Sequence, residues 1–475
     1  MKSTILLIVS FWKEYKKHKT GLMGLILLSL LIAASIFAFV FIPFETYKQW
    51  YNPTYWNKYP KSVPPSWINY FLTSKLPEHI ILNSPRLSLI EAEHNTLKII
   101  NHSYTLNFFY DSFPTDFMLN FALKYYERPP MIEFSVKRPD KDLIVLIKTT
   151  LPQKPKDLLY YVYNSTVFST ERSLKINVAQ YVINKTGLAI SSDHVSPEVL
   201  IFAISDPLMI QPGKAEVLKG NYEFLATFYL FNERDEVLFS ELIVGGKVFG
   251  VFGTDDLRRD LLIGILWGTP IALLLGLSVA FLAVFIGLSY GMISGYYGRG
   301  IDELMMRVSD IIYALPALPF LILLSLSIGR SIVYIIAYLI IFGWVSASKV
   351  ARSITLQLKS LPYIEAVKLI GASDLRIMFR HIMPQITPYA IANIALSVPA
   401  AILTEAGLSF LGLGDPTLPT WGQILHDAQI YSAVIRGLWW WILLPGFMIA
   451  ITGLSFVLIG NTLENILNPR RRAQL

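Results

Sequence analysis

The sequence has no cysteine among its 475 residues. A disulfide framework, a thiolate metal site and a cysteine nucleophile are therefore excluded. Charge is scarce too, at 16% of residues, against about 25% in an ordinary soluble domain. There is no G-x-x-x-x-G-K-[ST] loop, so the chain lacks that device for cradling ATP phosphates. Neither H-E-x-x-H nor G-x-S-x-G occurs. The histidines at 18, 79, 94, 102, 194, 381 and 426 show no metal-ligand spacing. Internal repeats and low-complexity tracts are missing as well. These absences argue against catalysis by this chain alone.

What is abundant is apolar sequence. Hydrophobic residues make up 53%, and mean hydropathy is +0.47. That exceeds what one soluble core hides. A membrane-crossing helix needs about 20 apolar residues. Six stretches qualify or nearly do: Gly21–Phe44, Leu261–Ser289, Ile311–Ile328, Ile332–Val345, Pro388–Leu411 and Leu438–Ile459. The first is longer than the ~7–15 apolar residues of a signal peptide and reads as a retained anchor. Six spans put both termini on one side. Segments assigned inside hold the lysines before Gly21, then Arg299, Arg307, the basic residues between Lys349 and Arg380, and Arg470 to Arg472. The short outer loops hold Arg330 and Arg436. Both termini are thus expected in the cytoplasm, at a cell membrane, with residues 45–255 extracellular. The net charge of +7 is explained by this inside bias. No basic cluster interleaved with aromatics points to nucleic acid.

The expected layout is a cytoplasmic N-terminus (1–20), a first transmembrane helix (21–44), a β-rich extracellular domain (45–250), and a domain of five further helices (251–475). Strand-like runs lie at Tyr104–Tyr110, Met131–Val136, Leu143–Thr149, Tyr222–Phe231 and Val237–Val244. Asn232-Glu233-Arg234-Asp235 reads as a hairpin turn between the last two. A helix is expected over Ser173–Ile183. The Trp-, Tyr- and Pro-rich run Tyr47–Pro77 is expected in the core or against the membrane surface. Trp439-Trp440-Trp441 reads as an interfacial aromatic belt. Sequons occur at Asn101, Asn164 and Asn184.

The most informative stretch is Ser360 to Pro384, SLPYIEAVKLIGASDLRIMFRHIMP. Ser360 can cap a helix, with Pro362 in its first turn. Gly371 can supply the left-handed residue that ends it near Ile370. Ser373 can cap a second helix ending near Pro384. Glu365 sits near the front of the first helix, and Ala366 is small enough to let a partner approach. The plainer reading is an ordinary surface helix with a routine glycine stop.

Glu365-Ala366-Val367, then Gly371, then Met383-Pro384 resembles the Glu-Ala-Ala loop of binding-protein-dependent ABC importer permeases. The run Gly371-Ala372-Ser373-Asp374 through His381 to Pro384 is similar to its form in the dipeptide/oligopeptide (and nickel) family. Val367 and Met383 replace the usual Ala and Leu, both conservative in a packed helix. Gly253-Thr254-Asp255 with Arg259-Asp260 resembles the family's G-T-D-x-x-G-R-D, with Arg258 where Gly is usual. Ser294 to Gly298 with Asp302, Glu303 and Arg307, then Asp310 with Ala314-Leu315-Pro316, continue the match. So do Glu405 with Phe410 to Gly414, Pro419 to Gly422, and Asn461 with Asn468-Pro469-Arg470.

The resemblance implies an α-helical polytopic membrane protein of six transmembrane helices, the type I ABC importer permease fold, with a β-rich extracellular insertion as in some archaeal relatives. It implies a non-catalytic subunit that carries peptides or oligosaccharides across the lipid bilayer. Its partners would be a homologous second permease, two ATP-binding cassette ATPases and an extracellular solute-binding protein. This chain would bind no cofactor, ATP and Mg belonging to the partner subunits. The loop 349–384 would couple to the ATPases through Pro362, Glu365, Ala366, Gly371, Ala372, Asp374, His381 and Pro384. Glu405, Phe410 and Trp421 would belong to the pathway or outer gate. Glu405 could equally be a carboxylate reaching the headgroup zone. Prolines 270, 316, 319, 399 and 445 read as kinks or hinges. A membrane-anchored receptor or adhesion subunit is the alternative from another class. A secondary transporter would show repeats and midplane charges.

Overall fold

The computed structural model describes residues 11–91, 97–211 and 213–467. Asn468-Pro469-Arg470, the arginines that follow and Lys2 lie outside them. The chain divides into two compact units, Met1–Asn52 with Leu261–Leu475, and Pro53–Asp260. The first opens with α1 (Lys19–Phe41), 23 residues with no acidic residue in its first turn and no basic residue in its last.

The second unit is an antiparallel sandwich. A four-stranded sheet has the order β1-β9-β4-β7, and a five-stranded sheet the order β2-β3-β8-β5-β6. The strands are β1 (Ile80–Leu82), β2 (Arg86–Glu91), β3 (Lys98–Phe108), β4 (Phe117–Tyr125), β5 (Met131–Lys137), β6 (Leu143–Thr150), β7 (Tyr161–Phe168), β8 (Gly220–Leu230) and β9 (Glu236–Val244). Alternate residues of β8, Tyr222, Phe224, Ala226, Phe228 and Leu230, are fully buried. They meet Phe117, Leu119, Phe121 and Leu123 of β4 in one core. Each such large apolar side chain contributes ~1.5–3 kcal/mol. α2 (Arg172–Thr186) lies against β6 and ends at Gly187, φ +69°.

The expected hairpin is not one. β8 and β9 belong to different sheets, so Asn232 to Asp235 carries the chain across the sandwich. Asp235 closes that corner, accepting from the amides of Phe231, Asn232 and Tyr126 at 3.2, 3.1 and 3.0 Å. The aromatic run at the start also divides. Trp50 and Trp56 are 1% exposed, whereas Tyr70 is 89% exposed.

Several buried polar groups of this unit are paired. Arg138 is enclosed, bonded to Asp140 at 3.0 Å and to the Ala203 carbonyl at 2.6 Å. His102 Nδ1 lies 2.5 Å from Ser240 Oγ across the two sheets, and the Tyr104 hydroxyl reaches the same serine. Asp255 and Arg259 form an enclosed pair at 2.6 Å. Between them Arg258 takes φ +65°, the left-handed turn its glycine-type position demands. Its guanidinium bonds the Tyr59 carbonyl at 2.7 Å.

The first unit continues with α3 (Leu261–Tyr297), α4 (Arg299–Ala314), α5 (Ala317–Ile328), α6 (Ile332–Lys359), α7 (Pro362–Leu369), α8 (Met383–Phe410), α9 (Trp421–Ile430) and α10 (Trp439–Leu467). Among the described residues five helical segments are long and apolar enough to cross a membrane, or six if the bent pair α4–α5 is one span. That pair replaces the expected third span. It bends by 76° at Leu315 and Pro316, because Pro holds its predecessor in extended backbone. α6 runs 28 residues, well past the expected end at Val345.

Small residues set the helix packing. Gly287, Gly291 and Gly295 of α3 lie against α6, and a Cβ on Gly291 would sit 2.0 Å from the Ser348 carbonyl oxygen. Such close approach is a common way for apolar helices to associate. α1 lies on α10, where Ser455 Oγ donates to the Gly24 carbonyl at 3.0 Å. Trp440 and Trp441 are buried, 5% and 0% exposed. The belt reading therefore fails for two of the three tryptophans.

Candidate coupling site

α6 ends at Ser360, whose hydroxyl turns back to the Gln357 carbonyl at 3.0 Å. Ser360 thus closes α6 and does not cap α7, whose N-cap is Leu361 with Pro362 at the first position. The two helices are separated by only two residues, so one serine cannot serve both. α7 ends at Ile370, and Gly371 follows at φ +90°. A side chain there meets nothing within 4 Å, so the glycine serves the backbone turn rather than a tight contact.

One residue pins α7. Ile364 is 3% exposed and packs with Ile377, Met378, Ile382 and Ile386. Val367 and Ala372 back it up. The other sides carry Glu365 and Ala366, both exposed, and Lys368 is exposed as well. Beside them Leu369 and Ile370 are 88% and 86% exposed. Sequence reasoning missed these two aliphatics. Their signal is a pair of apolar residues immediately before a glycine stop on a helix whose core contact is already made.

Beyond Gly371 the chain does not stop near Pro384 as expected. One turn over Asp374–Ile377 passes through a π-helical turn, Met378–Ile382, directly into α8. Ser373 occupies the N-cap position without a side-chain cap bond. Asp374 accepts from the Tyr296 hydroxyl of α3 at 2.6 Å. His381 is half-buried, its ring 6.5 Å from that of Tyr363, and Pro384 is exposed. Upstream, Arg352 of α6 grips Asp302 of α4 with both nitrogens at 2.6 Å, and Ser294 donates to the same carboxylate. A bidentate pair of this kind fixes orientation as well as charge. The exposed corner is thus held by a braced base.

The far end of α8 is enclosed. Glu405 is 4% exposed and accepts from Ser409 Oγ at 2.6 Å. Trp421, 2% exposed, donates through Nε1 to the Ile265 carbonyl at 3.1 Å and covers Gly268. Phe410 is 38% exposed, and its carbonyl accepts from His426 Nδ1 at 2.8 Å. These three residues lie at one end of the helical unit, with their polar atoms turned to neighbouring helices and loops.

Comparison with known proteins now decides the family. Residues 287–473 match the family described as binding-protein-dependent transport system inner membrane component. Residues 7–65 match the N-terminal TM domain of oligopeptide transport permease C. A dipeptide transport system permease protein, DppC of Bacillus subtilis (strain 168), is 36% identical over 222 residues, which are 46% of this chain and 69% of that protein. The chain belongs to this permease family. OppC of the same organism, an oligopeptide transport system permease protein, is 37% identical over 46% of this chain and 72% of its own. GsiD of Pectobacterium atrosepticum, a glutathione transport system permease protein, is 32% identical over 46% and 73%. A solved inward-facing MetNI methionine ABC transporter aligns with 43% of this chain and 98% of its own at 15% identity, with a TM-score of 0.33. The chain is a multi-pass ABC importer permease subunit. None of these relatives carries the oligosaccharide or receptor alternative.

Proposed function

We propose that this permease passes short peptides inward, with α7 as the element that receives force from a cytoplasmic ATPase. The observation that carries the reading is the corner itself. α7 is pinned by a single buried residue, offers Glu365, Leu369 and Ile370 outward, and continues past Gly371 into an apolar helix. Two apolar side chains left in the open beside a carboxylate suit a groove on a partner protein. The relatives' names supply the substrate class.

In this reading both termini and α7 lie in the cytoplasm and the sandwich lies outside. The loop basic residues, Lys349 to Arg380 and Arg470 to Arg472, support that orientation. A homologous permease completes the path, two ATPases holding ATP and Mg drive it, and an external binding protein delivers substrate. Closure of the ATPases moves α7, and the braced helices switch between two packings. Glu365 makes a polar contact in the ATPase groove. Glu405 and Trp421 hold the outer gate by their buried bonds, with Phe410 at its rim.

The test replaces Glu365→Ala and Gly371→Val in the assembled transporter. Peptide uptake and ATPase co-purification should both fall, with membrane levels unchanged. Uptake at the wild-type rate in both variants would overturn the coupling assignment.

A further inference from the structure

α8 carries a polar stripe that none of the readings above uses. Gln385, Tyr389, Asn393 and Ser397 follow one another at four-residue steps, which places them along one side of the helix. They are joined to one another. Asn393 Nδ2 donates to the Tyr389 hydroxyl at 3.0 Å, and Ser397 Oγ donates to Asn393 Oδ1 at 3.3 Å. At its lower end Gln385 Nε2 donates to the Tyr363 hydroxyl of α7. At ~1.5 Å per residue, Asn393 and Ser397 lie about 15 and 21 Å along a helix of about 42 Å. They therefore lie well inside the helix, away from both of its ends.

Polar side chains at such positions are expensive toward lipid and face protein or water. This stripe is not buried in its own chain: Tyr389, Asn393 and Ser397 are half-exposed and Gln385 is exposed. It borders a cavity of about 430 Å³, whose walls include Gln385, Tyr389 and Asn393, Ile354 of α6 and Glu464 of α10. The bonds within the stripe leave capacity over. A side-chain amide has two donor hydrogens and two acceptor lone pairs, and Asn393 spends one of each.

We infer that this stripe and cavity form a peptide-contacting surface in the cytoplasmic half of the translocation path. The inference rests on the peptide-import reading and gives it residues. Side-chain amides and hydroxyls both donate and accept, so they match the N–H and C=O groups of any peptide regardless of sequence. The Gln385–Tyr363 bond ties the foot of the surface to α7. Movement of α7 therefore shifts the first rung of the substrate contact.

The chain's lack of cysteine makes the test direct. Asn393→Cys is introduced into the complete transporter in inside-out membrane vesicles and exposed to aminoethyl methanethiosulfonate, which needs a hydrated thiolate. Ile391→Cys, about 200° around the helix, is the reference. Asn393→Cys should react about tenfold or more faster, since the thiolate forms only in water. A saturating mixture of tripeptides without ATP should slow it. Asn393→Leu should lower tripeptide uptake about tenfold, the range of a lost buried hydrogen bond, and Asn393→Gln should recover part of it. ATPase co-purification should not change. Equal labelling of the two thiols would mean that the stripe packs on another helix and would overturn the inference. So would unchanged uptake by Asn393→Leu. In both cases uptake by the wild-type chain would leave the permease reading standing. If the wild-type transporter took up no tripeptide, the peptide would be lost from both readings.

Discussion

At Gly291 two helices of the membrane unit meet backbone to backbone, whereas at Arg138 the sandwich closes around an entire guanidinium. The first contact exists because a side chain is missing, the second because a long one is enclosed. The helical unit draws its order mainly from volume, through Gly287, Gly291 and Gly295 against α6. The sandwich buries Arg138, Asp235, Asp255 and Arg259 together with His102. It can bring charge inside when each charge finds a partner. The two units should therefore fail under different stresses: the helices to added bulk, the sandwich to lost partners and to acid.

The comparison breaks most easily at Gly291. Gly291→Leu would drive a side chain into a carbonyl 2.0 Å from its first atom. Overpacking without room to relax costs ~3 kcal/mol or more, and little folded protein should elute in detergent size-exclusion chromatography. Gly446→Ala is the control, because nothing lies within 4 Å of the added atom. If both variants behave alike, packing volume is not what orders these helices. Next in size is Arg138→Ala in the sandwich. It strips partners from Asp140 and the Ala203 carbonyl, a loss of ~3–5 kcal/mol. Pulse proteolysis of the full chain should show faster cleavage within the sandwich and not within the helices.

Acid sharpens the contrast further. Burial pushes the His79 imidazole down to about 4, and lowers His102 as well. Below the ordinary histidine value near 6.5 the unfolded chain takes up protons that these folded rings refuse. Their contribution to sandwich stability is intact above that value and falls as pH drops toward 4, by ~3 kcal/mol at most for His79. His79→Asn should flatten part of this slope in proteolysis measured from pH 7 to 4. An unchanged slope would remove His79 from the account.

Smaller in energy is Leu369→Asp with Ile370→Asp on α7. Both side chains are exposed, so the melting temperature should move by no more than ~0.5 kcal/mol equivalent. ATPase recovery in pull-downs should drop about tenfold, or ~1.4 kcal/mol. An effect of comparable size belongs to Arg258. At φ +65° a branched residue is strained, so Arg258→Val should destabilise by ~1–2 kcal/mol. Arg258→Gly should stay within ~0.5 kcal/mol, as the freed backbone offsets the lost bond to Tyr59.

The same contrast explains what could be read in advance. The corner at Gly371 was legible because a left-handed residue after a short helix has few substitutes. Both its neighbours in sequence and its place in the family run point to it. Ser360 was misread because a serine two residues before a proline suits either helix end. The third span was misread because its average hydropathy hides the break at Leu315 and Pro316. In the sandwich, β4 escaped notice because both its faces are covered and alternation disappears from Phe117 to Tyr125. The sheet change between β8 and β9 is a long-range choice that no local turn residue encodes. The polar stripe on α8 was visible as four residues at four-residue spacing, but the helix was weighed by its apolar average.

The π turn at Met378–Ile382 fixes the phase between α7's anchorage and the stripe on α8. A ring closed five residues apart holds one residue more than an α-turn does. That extra residue rotates everything beyond it by about 100° and advances it by about 1.5 Å. Without it, Ile377 and Met378 could still seat against Ile364, but Tyr389 and Asn393 would point to another quarter of the helix. The turn behaves as a phase offset written in residue number, and deletions on one side of it are not equivalent to deletions on the other.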